Sequence, residues 1–89
     1  MFRLWGKIYT AARLKKDVVI ENDTKDTRTQ KIMTALEQIC DDFNLCKPIW
    51  LDLNIKDFQK YKKTRFRQDN FIETIDFDFL EIEVIEEDS

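Results

Sequence analysis

The chain has 89 residues, of which 43% are hydrophobic and 37% charged, and its net charge is -3. A chain of this length supports one domain, residues 1–89, whose core can be filled without metal or disulfide staples. The absence of histidine excludes Ser-His-Asp and Cys-His catalysis and Cys₂His₂ zinc sites, and a single glycine excludes the Gly-rich phosphate-binding loops.

The N-terminal segment shows neither a membrane span nor a signal peptide. No run approaches the roughly 18 apolar residues that a spanning helix needs. Arg3 and Lys7 interrupt the apolar segment that a signal peptide would keep continuous. The sequence therefore predicts a cytoplasmic protein, in which Cys40 and Cys46 are expected as reduced thiols.

Alternating residues predict two strands at the N-terminus, over 2–9 and 14–21. One face of the first strand is mostly apolar: Phe2, Leu4, Gly6 and Ile8. The other face joins aromatic and cationic side chains: Arg3, Trp5, Lys7 and Tyr9. The second strand is predicted to place Leu14, Val18 and Ile20 on one face. Residues 10–13 between the strands contain no strong turn motif, so the hairpin depends on the two alternations.

A long amphipathic helix is predicted from about residue 28 to residue 44. Its apolar stripe has three- and four-residue spacing: Ile32, Met33, Leu36, Ile39, Cys40 and Phe43. Thr27 and Gln30 fit a capping box at its start. Asn44 suits a left-handed residue at its end, and Pro48 prevents continuation.

The second half of the chain is predicted to hold two strands and a helix. Residues 49–51 suggest a short buried strand, and Asn54 is expected to cap a helix over 55–63. The stretch 64–70 is ambiguous, and residues 71–75 fit either a strand or a helical turn. A last strand is predicted over 77–85, with Leu80, Ile82 and Val84 on its apolar face.

The order β-β-α-(β)-α-β predicts an α+β fold, a two-layer sandwich with the N-terminal hairpin and the C-terminal strand in one sheet. If their apolar faces share a core, the charged faces of the first and last strands lie on the same side. Arg3 and Lys7 would then stand beside Glu81 and Glu83. Because cross-strand pairs of opposite charge are favourable, these two strands are predicted to be neighbours.

The charge is divided into blocks. Residues 56–67 carry six cations against one acid, and residues 68–89 carry nine acids and no base. One interpretation is a phosphate-binding segment with interleaved aromatics, which makes nucleic-acid binding through residues 60–67 an alternative function. The favoured interpretation is a solvated or self-paired charge, because a net charge of -3 opposes binding of a polyanion.

The aromatic face of the first strand is a second candidate feature. Trp5 and Tyr9 beside Arg3 and Lys7 suit either base stacking or a partner protein's side chains. Large aromatics seldom stay uncovered, which favours burial or self-association.

Paired carboxylates and cysteines suggest two further kinds of chemistry. Asp76 and Asp78 would point the same way on a strand, which makes a carboxylate-based metal enzyme a second alternative. Solvated acids that protect a strand edge are the favoured interpretation. Cys40 lies on the helix stripe and Cys46 beyond the helix end, and neither has a histidine to activate it.

Three segments carry a resemblance. Residues 64–72, residues 75–82 and the preceding Pro48-Ile49-Trp50-Leu51-Asp52 resemble a family of small bacterial proteins of unassigned function. The resemblance covers most of the chain and implies a bacterial cytosolic protein. It implies no catalytic residue.

The sequence thus favours a small, non-enzymatic protein-interaction domain, with self-association included. No catalytic residue, cofactor or metal ligand is assigned, and no membrane contact is expected. The partner is a protein or a second copy, and nucleic acid is disfavoured. The candidate interaction surface has two parts, the first-strand aromatics and the basic segment: Trp5, Tyr9, Lys60, Lys62, Lys63, Arg65 and Arg67.

Overall fold

A computed structural model of the chain describes residues 1–87, which form one antiparallel sheet and two α-helices. In chain order the elements are β1 (Phe2–Thr10), β2 (Arg13–Asn22), α1 (Arg28–Asp42), α2 (Asp52–Tyr61), β3 (Lys63–Phe66) and β4 (Phe79–Glu86). A 3₁₀ turn, Gln68–Asn70, follows β3. The strand order across the sheet is β2-β1-β4-β3. The α+β class is confirmed, and the hairpin and the last strand share one sheet.

The two faces of β1 are divided as the alternation predicted. Phe2, Leu4 and Ile8 are buried in the core beneath the helices. Gly6 lies on the same face, where a Cβ atom would stand 2.6 Å from Cγ2 of Ile39 on α1. The only glycine of the chain therefore sits where the long helix leaves no room for a side chain on the sheet.

The turn between β1 and β2 explains why no turn motif was visible. Ala11 and Ala12 both have positive φ, 53° and 64°, as the two central residues of a type I′ turn require. A left-handed conformation costs a residue with a Cβ about 1–2 kcal/mol. The Asp78 carboxylate accepts a hydrogen bond from the Ala11 N–H at 2.8 Å. A contact 67 residues away in sequence thus supports this turn.

A register shift between Ile8 and Tyr9 changes the face of one β2 residue. Leu14 pairs with Tyr9, whereas Val18 pairs with Gly6. Leu14 therefore lies on the face away from the helices, and its predicted alignment with Val18 and Ile20 was wrong. A β-bulge has this effect because the extra residue reverses the inside–outside alternation beyond it.

The long helix begins after Thr27 and closes at Asn44 as its sequence indicated, but only the Thr27 half of the predicted capping box forms. The Thr27 hydroxyl accepts from the Gln30 N–H at 3.2 Å, while the Gln30 amide donates to Thr34. At the other end Asn44 has φ 56°, and the Leu45 N–H donates to the Cys40 carbonyl at 2.8 Å. This is a Schellman closure, which satisfies carbonyls of the last turn. Neither helix in residues 1–87 is long and apolar enough to span a bilayer.

The stripe of α1 differs from the prediction at one position. Met33 is exposed, and Ala35 is fully buried in its place. Ile32, Leu36, Ile39 and Cys40 pack on the sheet as expected. Ala35 faces the sheet because positions 32, 35, 36 and 39 form the line that contacts it, and 33 lies one step around the helix.

The segment before α2 is not a strand. Ile49 and Leu51 are exposed, and the Asn70 amide holds the segment by donating to the Ile49 carbonyl at 2.8 Å. The helix starts at Asp52, earlier than predicted, and Asn54 lies inside it. Asn54 still supports the helix start, because its side-chain oxygen accepts from the Leu51 N–H at 3.0 Å. The element order is therefore β-β-α-α-β-β.

The second helix ends at Tyr61 and not at residue 63, and the edge strand β3 takes up Lys63 and the start of the ambiguous stretch. Thr64 and Phe66 point into the core and pair with Ile82 and Leu80 of β4. Residues 71–78 form a loop, so β4 begins at Phe79 and not at residue 77. The prediction that Asp76 and Asp78 lie on a strand was therefore wrong.

The predicted adjacency of the first and last strands is confirmed. β1 pairs antiparallel with β4, with Lys7 opposite Glu81 and Trp5 opposite Glu83. Leu80, Ile82 and Val84 face the core beside the apolar residues of β1. The matching parity places the charged residues of both strands on the other face of the sheet.

The two cysteines are free thiols with different surroundings. Cys40 is buried on α1, and this burial raises the pKa of its thiol to about 12, whereas Cys46 is exposed. We expect one fast-reacting thiol in the native protein and two after unfolding, because a thiolate is the reactive form. Ellman's reagent with and without denaturant measures both numbers. Two fast thiols in the folded state would show that the core around Cys40 opens readily.

Candidate interaction surface

One face of the sheet carries no helix, and we call it the open face. Both helices pack on the opposite face, where the apolar residues of β1 and β4 lie. The strand registers define the residues that share the open face: Leu14, Asp17, Val19 and Glu21 of β2; Arg3, Trp5, Lys7 and Tyr9 of β1; Phe79, Glu81, Glu83 and Glu86 of β4; and Lys63 and Arg65 of β3.

A buried ion-pair network occupies the centre of the open face. The Lys7 ammonium lies 2.8 Å from a Glu81 oxygen and 2.9 Å from a Glu83 oxygen. The Arg65 guanidinium contacts the second Glu81 oxygen at 3.0 Å. The side chains of Lys7 and Glu81 are only 6% exposed, although no helix covers them. Their neighbours on the same face therefore provide the burial.

The network moves the pKa values of its central groups away from neutrality. Burial alone would raise the pKa of the Glu81 carboxyl, but hydrogen bonds from Lys7 and Arg65 outweigh it and hold the pKa below 4.5. Burial alone would lower the pKa of Lys7, but Glu81 and Glu83 raise it above 10.5. Both groups are therefore charged across the physiological range.

Aromatic rings surround this network and contact its cations. The Lys7 ammonium lies 3.9 Å from the Trp5 ring centroid, and the Arg65 guanidinium lies 4.4 Å from that of Phe79. Tyr9 stacks on Phe79 with 5.0 Å between centroids. The Trp5 indole N–H donates to Asp17 at 2.9 Å. Each ring is thus held by a contact in addition to its own strand.

The structure brings together five of the seven predicted surface residues. Trp5, Tyr9, Lys63 and Arg65 share the open face, and Arg67 joins them with its guanidinium 5.4 Å from the Phe79 ring centroid. The other two lie elsewhere. Lys60 is on α2 beside Tyr61, and Lys62 pairs with Glu87 at 2.9 Å.

The basic block is partly neutralised by the acidic end of the same chain. Arg65 pairs with Glu81, and Lys62 shares Glu87 with Arg28. Hydrogen bonds from Arg28 and Lys62 hold the pKa of the Glu87 carboxyl below its ordinary value. These pairs support the interpretation of internal charge complementarity.

Two residues at the centre of the open face, Phe79 and Glu81, were absent from the predicted surface. Phe79 was placed on the correct side of its strand, but its contact with two arginines needs the β3–β4 register. Glu81 was expected to be exposed, and it is 5% exposed because Lys7 and Arg65 enclose it. The parity of the acids with Lys7 was the signal that indicated their position.

The two carboxylates of the suggested metal pair have different surroundings. The Asp78 carboxylate accepts from the Ala11 N–H, and Asp76 lines a small cavity with Lys16 and Phe77. Across residues 1–87, no group of three or more Cys, Asp or Glu side chains is placed to hold a metal ion.

A groove of about 330 Å³ runs beside the β3 edge, between this strand and α2. Two buried amides form its floor, and Asn70 donates to the Asn54 oxygen at 2.7 Å. Asn54 in turn donates to the Thr64 hydroxyl and to the Arg65 carbonyl, both at 2.9 Å. The hydrogen bonds of these two amides thus connect the 49–51 segment, α2 and β3.

The ion pairs predict how stability depends on pH. Folding lowers the pKa values of Glu81 and Glu87. Their contribution to the free energy of unfolding is therefore present above about pH 4.5 and is lost as the pH falls through their pKa values in the folded state. Folding raises the pKa of Lys7. Its contribution to the free energy of unfolding is therefore present below pH 10.5 and is lost as the pH rises through its pKa in the folded state. Thermal melts across pH should show a plateau with two falling limbs. Glu81→Gln should flatten the acid limb, whereas Glu37→Gln, at a 59% exposed carboxylate, should not.

Comparison with protein-family models, curated proteins and solved structures finds no match to this chain. The resemblance to a bacterial family therefore stays a prediction.

Proposed function

We propose that the protein is a non-enzymatic interaction domain that binds a protein partner through the open face. The observation that carries the proposal is the set of three aromatic rings, Trp5, Tyr9 and Phe79, held on an uncovered sheet by cations and by each other. Tryptophan, tyrosine and arginine are the residues that dominate binding energy at protein interfaces.

The rings are already positioned before a partner arrives. Trp5 is fixed by its hydrogen bond to Asp17, and Phe79 lies between Tyr9 and Arg65. A partner would therefore lose little side-chain entropy on binding here, since ordering a mobile side chain costs about 0.5–1.5 kcal/mol. A preorganised aromatic surface of this kind favours specific recognition over chance contact.

The titratable groups at the centre argue against acid–base catalysis. A general acid or base at neutral pH needs a pKa near 7. Folding lowers the pKa of Glu81 and raises that of Lys7, which moves both away from that value. Both groups are also occupied by each other.

Nucleic acid is the competing partner, because cations lie beside aromatic rings on an open sheet. Lys7 and Arg65 are engaged by carboxylates, however, and Lys62 is held by Glu87. We expect no submicromolar binding of single-stranded or duplex oligonucleotides at physiological salt. A fluorescence-anisotropy titration at two salt concentrations measures this. Tight binding that weakens steeply with salt would replace the protein partner with a nucleic acid.

A photo-cross-linking experiment tests the proposal. A photo-reactive phenylalanine replaces Leu14, which is exposed on the open face, or Ile72, which is exposed on the loop before β4. Irradiation of the cells that express the protein should give a discrete adduct from position 14 that Phe79→Ser abolishes. Position 72 should not give that adduct. No adduct from position 14, or the same adducts from both positions, would refute the proposal.

We further place this function in the cytoplasm. Both cysteines are free, and one of them is exposed to solvent. An exposed free thiol persists in a reducing compartment.

A further inference from the structure

We propose that the partner at the open face is a second copy of this chain, packed face to face around a two-fold axis parallel to the strands. This inference rests on the proposed function, because it names the occupant of the same surface. The distribution of charge across the four strands supports it.

The charges on the open face alternate in sign from strand to strand. β2 presents Asp17 and Glu21, and its neighbour β1 presents Arg3 and Lys7. β4 then presents three acids, Glu81, Glu83 and Glu86, and the edge strand β3 presents two cations, Lys63 and Arg65. Each strand thus carries charges of one sign on the open face, in the order acidic, basic, acidic, basic.

This order is complementary to itself in only one of two simple two-fold arrangements. A two-fold axis between facing sheets lies in the interface plane, and aligned sheets keep their strands within about 30° of each other. If the axis runs along the strands between β1 and β4, β2 faces the partner's β3 and β1 faces the partner's β4. Every strand then meets the opposite sign. If the axis runs across the strands, each strand meets its own sign.

The centre of the face is already prepared for contact. Lys7 and Glu81 are almost fully buried within one copy. A second copy therefore need not remove water from either ion, which is the main cost of burying charges in an interface. An axis along the strands keeps each cross-strand row opposite the same row of the other copy, so Tyr9 on β1 would then face the partner's Phe79 on β4.

The size of the face indicates a weak, reversible dimer. Four strands about 4.8 Å apart, which average about eight residues at about 3.4 Å each, cover roughly 500 Å² per copy. The total of roughly 1,000 Å² is at the lower limit for a specific interface. We therefore expect dissociation in the micromolar range or above, and an equilibrium that shifts with concentration.

Charge exchange between the two edges provides the test. One variant carries Lys63→Glu and Arg67→Glu at the β3 edge, and another carries Val19→Lys and Glu21→Lys on β2. In the proposed dimer β2 of one copy faces β3 of the other. Each variant on its own therefore places like charges on these facing strands, and a mixture of the two variants restores opposite charges at both edges. The matched control for the β3 variant, Lys56→Glu with Lys60→Glu on α2, makes the same charge change away from the open face.

Sedimentation velocity of the full chain from about 5 µM to about 1 mM gives the dissociation constant. We expect the wild type and the control to dimerise alike, each edge variant to bind at least about tenfold more weakly, and the equimolar mixture to recover association. Circular dichroism verifies that the variants fold, and Arg67→Glu alone, which lies outside the strand, replaces the double variant if that variant unfolds.

Three results would overturn the inference: a wild type that stays monomeric to about 1 mM, a β3 variant that dimerises like the wild type, or a mixture without recovery. A β3 variant that dimerises like the wild type would indicate that two copies associate instead through their β2 edge strands. The cross-linking experiment separates this failure from failure of the proposed function, because an adduct between position 14 and a different protein keeps the function and removes the dimer.

Discussion

Replacing Lys7 with methionine is expected to lower the free energy of unfolding by about 3 kcal/mol. The substitution keeps most of the apolar stem but leaves the buried Glu81 carboxylate with Arg65 as its remaining cation. A domain of this size has about 5–10 kcal/mol of stability in all, so the loss should be obvious in a denaturant melt. Lys7→Met with Glu81→Met should recover part of it, because the unpaired charge is then gone.

The matched control is Lys47→Met. Lys47 pairs with Glu37 at 3.9 Å, and both side chains are more than half exposed. Exposed pairs contribute about 0–1 kcal/mol, so this variant should melt close to the wild type. Equal melts for Lys7→Met and Lys47→Met would show that the network on the open face does not contribute to stability.

Truncating Leu36 to alanine is expected to cost about 2–5 kcal/mol. Leu36 is 2% exposed in the centre of the stripe that α1 packs on the sheet. Its truncation removes apolar contacts and leaves a cavity that the neighbouring side chains fill only in part. Met33→Ala on the same helix is the control, since Met33 is 41% exposed and should change the denaturation midpoint little. Similar midpoints for the two variants would mean that α1 packs through a different face.

Local patterns were sufficient for most of the fold. The alternation of residues 2–9 and the spacing from Ile32 to Ile39 each depend only on which side of an element a residue occupies. The caps at Thr27 and Asn44 are local too, because each involves residues within one turn of the helix. The adjacency of β1 and β4 followed from the parity of their charges.

The errors occurred where distant residues decide the local structure. The Ala11–Ala12 turn is supported by Asp78, and the 49–51 segment is held by Asn70. Neither contact can be read from a window of neighbouring residues. Asn54 was identified as a helix-capping residue, but its amide also bonds Thr64 and Arg65, and these bonds depend on how α2 packs beside β3.

The candidate surface was predicted in part for the same reason. Trp5 and Tyr9 share a face with Lys7 through strand alternation alone. Their junction with Arg65 and Arg67 requires β4 to lie between β1 and β3, which brings Phe79 beneath both guanidinium groups. Lys62 does not join the other cations of the basic block on the open face. It adopts a left-handed conformation, with φ 59°, at the end of α2, and its side chain pairs with Glu87.

The two tryptophans provide the most direct test of the open face as a self-complementary surface. Trp5 lies on that face, whereas Trp50 packs against Phe58 and Phe66 on the helix side. Their indole N–H signals can be followed by ¹H–¹⁵N NMR as the protein is diluted from about 1 mM to about 20 µM. We expect the Trp5 signal to shift with concentration and the Trp50 signal to remain in place. A shift at Trp50 without one at Trp5, or no shift at either, would contradict the account.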